Sequence, residues 1–224
     1  MEKCRKSTVN SKKIIGLSGL YCAGKNQVAL YLEKRGFPVL DVDKLGHEVI
    51  KEEKERLLTR FGSDILGPDG QIDRKRLGNR VFGRPEELKA LEEIIHPGAN
   101  QKTLDWIKNQ QEKLCFVNAA LLHRSSAFEL LDALVFVEAP LPVRLLRAKK
   151  RDQLPWMDLF KRFWSQKKIT SQFFKGKTDI YRVRNPYGYT NSGRFGFRRL
   201  SVLGLLSSRK KLEKDIDKIL SLLE

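Results

Sequence analysis

The sequence predicts an α/β fold built on a parallel sheet, on three observations. Within forty residues the chain passes from a short apolar run, through a glycine-bounded loop and a helical segment, to a second apolar run. That order is a βαβ unit, which implies parallel strands and a right-handed crossover. Two later runs, LCFVN at 114–118 and ALVFVE at 133–138, have the length and apolar content of buried strands. Between the two pairs lies a charged stretch with helical spacing and few strand signals.

The elements follow in order. Residues 12–18 (KKIIGLS) read as the first strand, 19–24 as a loop and 26–35 as a helix stopped by Gly36. A second strand is expected at 37–40, ending at Asp41, and a helix at 45–60. Residues 61–73 are turn-rich, with short helices predicted at 74–82, 85–95 and 103–111. The strands at 114–118 and 133–138 come next, then a basic helix at 142–150. Residues 156–174 mix aromatic and basic side chains at helical spacing, and 184–196 are rich in Gly, Asn and Pro and predict loop. Apolar residues at 212, 216, 219, 220 and 223 predict an amphipathic terminal helix over 210–223.

At 224 residues the chain suits one ordinary domain with insertions. With 41% hydrophobic and 32% charged residues it is globular rather than disordered. Cys4, Cys22 and Cys115 show no paired spacing, which argues against a disulfide framework or zinc ribbon and for a reducing, cytoplasmic setting. No run approaches the ~20 apolar residues of a membrane-spanning helix. The first thirteen residues are basic and polar, without the apolar core of a secretory signal. A net charge of +17 attracts polyanions, namely nucleic acid, anionic membrane or a phosphate-rich small molecule, without choosing among them.

Chemistry concentrates at Gly19-Leu20-Tyr21-Cys22-Ala23-Gly24-Lys25, a G-x-x-x-x-G-K pattern placed between a strand and a helix. Backbone amides of such a loop wrap a β-phosphate, the helix dipole favours the anion, and Lys25 reaches the β- and γ-oxygens. The nucleotide contacts expected from this loop are Gly19, Cys22, Ala23, Gly24, Lys25, Asn26 and Gln27, with ATP arriving as its Mg²⁺ complex. Asn26 stands where Ser or Thr usually supplies a magnesium ligand. Its amide oxygen either coordinates Mg²⁺ or a metal-bound water, or merely begins the helix.

Asp41 and Asp43 follow the second strand, where ligands gather in open α/β sheets. One carboxylate can accept the proton of an attacking hydroxyl, assigned here to Asp43, and one can serve magnesium. A helix N-cap accounts for one of the two equally well. His47 carries no catalytic expectation. His96 precedes Pro97, which would push it extended at a helix end, where it either contacts substrate or caps the helix. Arg147 and Arg151 share one face of a basic helix and can meet the charge of a transferring phosphate. The aromatic and basic residues of 156–174 read as core or lid packing ahead of base stacking on nucleic acid.

Four stretches in order, over about residues 14–152, resemble the dephospho-CoA kinase family. They are the opening loop, helix and strand through D-V-D-K-L-G-H; FGSDILGPDGQIDRKRLGNRVF; LEEIIHPGAN; and DALVFVEAPLPVRLLRAKKRD. The resemblance implies a P-loop, nucleoside-monophosphate-kinase-like three-layer fold with a helical acceptor-binding section and a lid. It implies ATP and dephospho-CoA as substrates, phosphorylation of the ribose 3′-hydroxyl, and Asp43 as base; Asp41, Asp43 and His96 are the residues expected to contact the acceptor. Residues 12–50, 112–152 and 209–224 would form the nucleotide-binding core, 51–111 the acceptor section, and 153–208 the lid with a divergent basic insertion. No membrane and no obligate protein partner are implied. Leu20 and Cys22 depart from the family's glycines, and Asn26 from its Ser or Thr. Gln166, Thr178-Asp179 and Asn191-Ser192-Gly193 echo family positions in the lid and beyond it. Outside the resemblance, the sequence also allows another nucleotide kinase, a nucleic-acid-binding P-loop protein, or an ATP binder without transfer.

Overall fold

The computed structural model describes residues 12–173, 178–186 and 202–224. Five parallel strands run in the order β2-β3-β1-β4-β5. They are β1 (Lys13–Gly19), β2 (Val39–Asp41), β3 (Leu114–Asn118), β4 (Ala133–Glu138) and β5 (Asp179–Arg184). Between them lie α1 (Lys25–Lys34), α2 (Val42–Glu52), α3 (Lys54–Phe61), α4 (Arg74–Val81), α5 (Pro85–Asn109), α6 (Leu141–Asp152) and α7 (Trp156–Phe173). The last helix is α8 (Val202–Leu223).

Alternation along the strands sends their side chains into two different cores. Ile15, Leu17, Phe116, Val135 and Val137 pack with Val28 and Leu32 of α1 and with Ile216 and Leu220 of α8. Val117, Leu134 and Phe136 pack on the opposite side with Ile107 of α5 and Leu122 and Leu131 of the β3–β4 connection. Helices therefore cover both faces, as an all-parallel sheet requires. A third core excludes the sheet: Val49, Leu57, Phe61, Ile65, Leu77, Val81, Ile94 and Ile95 join α2 through α5.

Three expectations are corrected. The first concerns β5, a strand the sequence reading did not find. Its segment DIYRVR pairs with β4 alone at the sheet edge and buries only Val183, so it lacks the continuous apolar run of a central strand. The second concerns α2, which begins directly after β2 because the Asp41 carboxylate caps it, accepting from the amides of Asp43 (3.1 Å) and Lys44 (3.3 Å). The third concerns α5, one helix of 25 residues that runs through Pro97. His96 is consequently mid-helix, not extended at an end. Pro97 removes one amide donor from the helix. Ile94, Ile95, Ala99, Thr103 and Ile107 stay buried on both sides of it, and that packing carries the helix through. The Asn191-Ser192-Gly193 turn and residues 195–201 of the basic insertion lie outside the described residues.

Candidate active site

The carboxyl ends of all five strands supply the site, as expected for an open parallel sheet. Strand β1 ends at Gly19, in register with Val137 of β4. A Cβ on Gly19 would lie 2.5 Å from the Val137 carbonyl oxygen, so only glycine lets the chain turn there. The Leu20 amide then donates to Val137 O at 3.0 Å, and the Ala23 amide to Leu20 O at 2.8 Å. Gly24 ends the loop at φ +99°. A Cβ at Gly24 would also sit 2.3 Å from the side-chain nitrogen of Asn185. Helix α1 starts with no side-chain cap; the Gln27 amide donates to Gly24 O at 2.9 Å, and the amides of Lys25 and Asn26 before it have no carbonyl within the helix to receive them. Amides in that position bind anions.

Cys22 adopts φ +58°, the left-handed region. That conformation costs a non-glycine residue about 1–2 kcal/mol. The loop is held nonetheless. Arg147 donates from Nη1 to the carbonyls of Cys22 (3.0 Å) and Ala23 (2.9 Å), and from Nη2 to that of Asn185 (3.0 Å). Asn185 closes the brace: its amide hydrogen goes to Glu138 O at 2.7 Å and its side-chain nitrogen to Ala23 O at 2.9 Å.

Positive charge collects around this loop. Burial pushes the Cys22 thiol up against the pull of Arg151, Arg147, Arg144 and Arg162, in that order. Burial also holds Arg144 and Arg147 below the ordinary guanidinium value, and Arg144 Nε is buried without a hydrogen-bond partner. Guanidinium does not lose its proton in proteins, so both stay half-buried cations beside the loop. Asp152 is the acid that pairs with Arg151 (2.7 Å) and Arg162 (3.6 Å).

Across the loop, Lys25 Nζ lies 3.2 Å from Asp43 Oδ2, with side-chain exposures of 12% and 53%. Asp43 Oδ1 accepts from the Ala120 amide beyond β3 at 3.5 Å. Asp43 is thus reachable from outside while tied to the phosphate lysine. Asp41, spent on capping α2, fixes the turn that presents Asp43. One helical turn beyond Asp43, the His47 ring meets Arg74 Nη1 at 2.8–2.9 Å. Partial burial and the Arg74 guanidinium hold His47 below its ordinary value.

The site residues expected from the sequence fall into three groups. Gly19, Cys22, Ala23, Gly24, Lys25, Asn26 and Gln27 form the loop and the opening of α1, with Asn26 exposed and Gln27 Oε1 3.5 Å from Asn185 Nδ2. Arg147 and Arg151, expected as equivalents, differ: Arg147 braces the loop, whereas Arg151 is 59% exposed and pairs with Asp152. His96, half-buried on α5, stands one turn before Asn100, whose side chain accepts from Ser125 Oγ at 3.1 Å. Sequence reasoning gave no role to Asn185, Tyr21 or Arg74. The asparagine sat inside a presumed loop, and only the alternation of 179–184 could have flagged it.

The comparisons identify the family and the fold. The dephospho-CoA kinase family model matches residues 13–178. The chain is 34% identical to the dephospho-CoA kinase of Treponema denticola over 182 residues, covering 77% of this chain and 82% of that one. It is 28% identical to that of Halalkalibacterium halodurans, covering 90% and 99%. Among solved structures, the dephospho-CoA kinase of Campylobacter jejuni superposes with a TM-score of 0.62 at 25% identity, covering 93% of this chain and 97% of that one. A Thermus thermophilus protein superposes at 0.73 with 27% identity, covering 96% and 99%. A glycine-bounded loop braced by the half-buried Arg147, with an exposed aspartate paired to its lysine, sits on that fold, and the chain belongs to the dephospho-CoA kinase family.

Proposed function

We propose that the chain transfers the γ-phosphate of Mg·ATP to the ribose 3′-hydroxyl of dephospho-CoA, giving coenzyme A and ADP. The observation that carries the residue assignment is the Lys25–Asp43 pair, 3.2 Å across, which joins the grip on phosphate to a solvent-facing base. The acceptor oxygen forms a bond to the γ-phosphorus, the bond to the β–γ bridging oxygen breaks, and ADP leaves. The hydroxyl proton passes to the Asp43 carboxylate. Lys25 and the loop amides hold the β- and γ-oxygens, and Arg151 meets the charge that spreads over the transferring group. Arg147 and Asn185 keep the loop in the shape that does this. Asp41 acts through Asp43, by capping α2.

The donors fit Mg²⁺ brought in on ATP. Among the described residues no three His, Cys, Asp or Glu side chains gather into a metal cage. The oxygens at hand are the exposed Asn26 amide, the Asp43 carboxylate and Asn118 Oδ1, which is buried without a hydrogen-bond partner at the end of β3. A neutral amide and one carboxylate suit a hard cation that keeps phosphate oxygens and water as its other ligands. When bound, the ion neutralises charge on the phosphates.

For the acceptor we assign Asp43, His47 and Arg74, which follow one another from α2 to α4, together with the half-buried His96 of α5. The separate core of α2 through α5 supports reading residues 51–111 as the acceptor section. Free thiols at Cys22 and Cys115 suit a cytoplasmic setting. The test is ADP release with Mg·ATP, with and without dephospho-CoA, run beside Lys25→Ala. Acceptor-dependent turnover that vanishes in the variant is expected. Turnover indifferent to dephospho-CoA would remove the acceptor assignment.

A further inference from the structure

Tyr21 is an aromatic side chain in a loop that binds through its backbone, and the chemistry above gives it no part. Its contacts run into the end of α6 and the start of α7. The hydroxyl hydrogen-bonds Asp152 Oδ2. The Arg151 guanidinium lies over the ring, 5.0 Å from its centroid, and Phe163 of α7 meets the ring edge-on at 5.1 Å. Asp152 in turn takes Arg151 Nε at 2.7 Å and Nη2 at 3.2 Å. Tyr21, Arg151 and Asp152 therefore form a closed triangle, each touching the other two. Two corners are the last residues of α6; the third is next to Cys22 in the phosphate loop.

The triangle solves a problem of placement. A free arginine side chain carries about 2 kcal/mol of rotamer entropy, and Arg151 is largely exposed. A carboxylate alone would hold it, but would also compete with the phosphate for the same donors. The aromatic face does not compete, since it attracts the cation without occupying an N–H. When phosphate draws Arg151 from Asp152, the ring still lies beneath the guanidinium. The Asp152 carboxylate keeps the tyrosine hydroxyl and Arg162 as partners. Because Tyr21 belongs to the loop itself, Arg151 is referenced to the phosphate site rather than to the helix that carries it.

We propose that Tyr21 is a positioning residue for Arg151, holding its guanidinium over the phosphate loop for transfer. This rests on the role given to Arg151 above. The test is steady-state kinetics on wild type, Tyr21→Leu, Tyr21→Phe, Arg151→Ala and the Tyr21→Leu/Arg151→Ala double variant, with melting temperatures alongside. Tyr21→Leu is expected to lower kcat about tenfold, and Tyr21→Phe less because it keeps the ring. KM for ATP and the melting temperature should hold. In the Arg151→Ala background the Tyr21→Leu change should cost less than about twofold, since coupled residues are not additive. Equal losses in both backgrounds would overturn the proposal, as would an unchanged kcat, or a loss confined to KM for ATP with a lowered melting temperature. If wild type shows no acceptor-dependent turnover, the proposed function fails by itself. The same five proteins are then compared in acceptor-independent ATP hydrolysis, with the same criteria.

Discussion

The two sides of the site are held by different means. On the nucleotide side, the half-buried Arg147 is tied to main chain. Arg147 spends three N–H bonds on carbonyls of the loop and of Asn185, and Asn185 returns two more. On the side proposed for the acceptor, His47 and Arg74 are linked side chain to side chain and, like Asp43, are open to solvent, on helices with a core of their own. A polyphosphate presents the same charge in every turnover, so a rigid cradle needs no adjustment once built. An acceptor hydroxyl must be admitted, aligned and released, and exposed groups on a separate helical unit can permit that. Rigidity on one side and access on the other then predict different consequences for substitution.

The largest effect belongs to the pair that joins the two sides. Lys25→Ala and Asp43→Ala should each reduce kcat by about 10²–10⁴. The melting temperature should change far less than kcat in both, although removing Asp43 leaves Lys25, 12% exposed, without that carboxylate. Single-turnover transfer from labelled ATP reads the step directly. An Asp43→Ala enzyme within a few-fold of wild type would end its assignment as base.

Next comes the contrast between the arginines. Arg147→Ala removes three hydrogen bonds from a half-buried guanidinium and should cost about 2–4 kcal/mol of stability, with KM for ATP rising as the loop loosens. Arg151→Ala should leave the urea midpoint unmoved and fall in kcat. Equal stability losses in the two variants would break the distinction between a braced cradle and a mobile catalytic arginine. On the acceptor side, Arg74→Ala should raise KM for dephospho-CoA about tenfold, the worth of one charged hydrogen bond, with KM for ATP unchanged. A rise in KM for ATP instead would show that the two sides are not separable.

How much of this was legible beforehand follows the same division. The central strands and the phosphate loop declared themselves because each is a local pattern: an apolar run of strand length, or glycines at fixed spacing before a lysine. Asp43 could be singled out because it follows a strand end where ligands gather, and it lies 3.2 Å from Lys25. What stayed hidden was set by neighbours distant in sequence. Strand β5 exists because β4 offers it an edge, and Asn185 matters because it meets Gly24 from 161 positions away. The continuity of α5 through Pro97 was likewise invisible, because the burial on both sides that outweighs one missing amide is tertiary. Arg147 and Arg151 share a helical face, so periodicity could not separate the one that meets carbonyls from the one that meets solvent.

The smallest expected effect comes from His47 and tests the acceptor side alone. Its value in the folded protein lies below that of the unfolded chain, from partial burial first and from the Arg74 guanidinium second. Between those two values the unfolded chain binds the proton and the folded protein does not. Stability therefore rises with pH across that window, and is lost as acid carries the solution from the ordinary histidine value, about 6.5, down through the folded one. The ring still reaches solvent, which screens the repulsion and keeps the slope shallow. Urea midpoints taken between pH 7.5 and 5.5 should fall slightly in wild type and less in His47→Gln. Arg74→Ala should flatten the slope as well, since it removes one of the two causes, whereas Arg151→Ala should not. A slope that survives His47→Gln unchanged would place the titration elsewhere, and would leave the acceptor side without the electrostatic contact that Arg74 and His47 supply between α2 and α4.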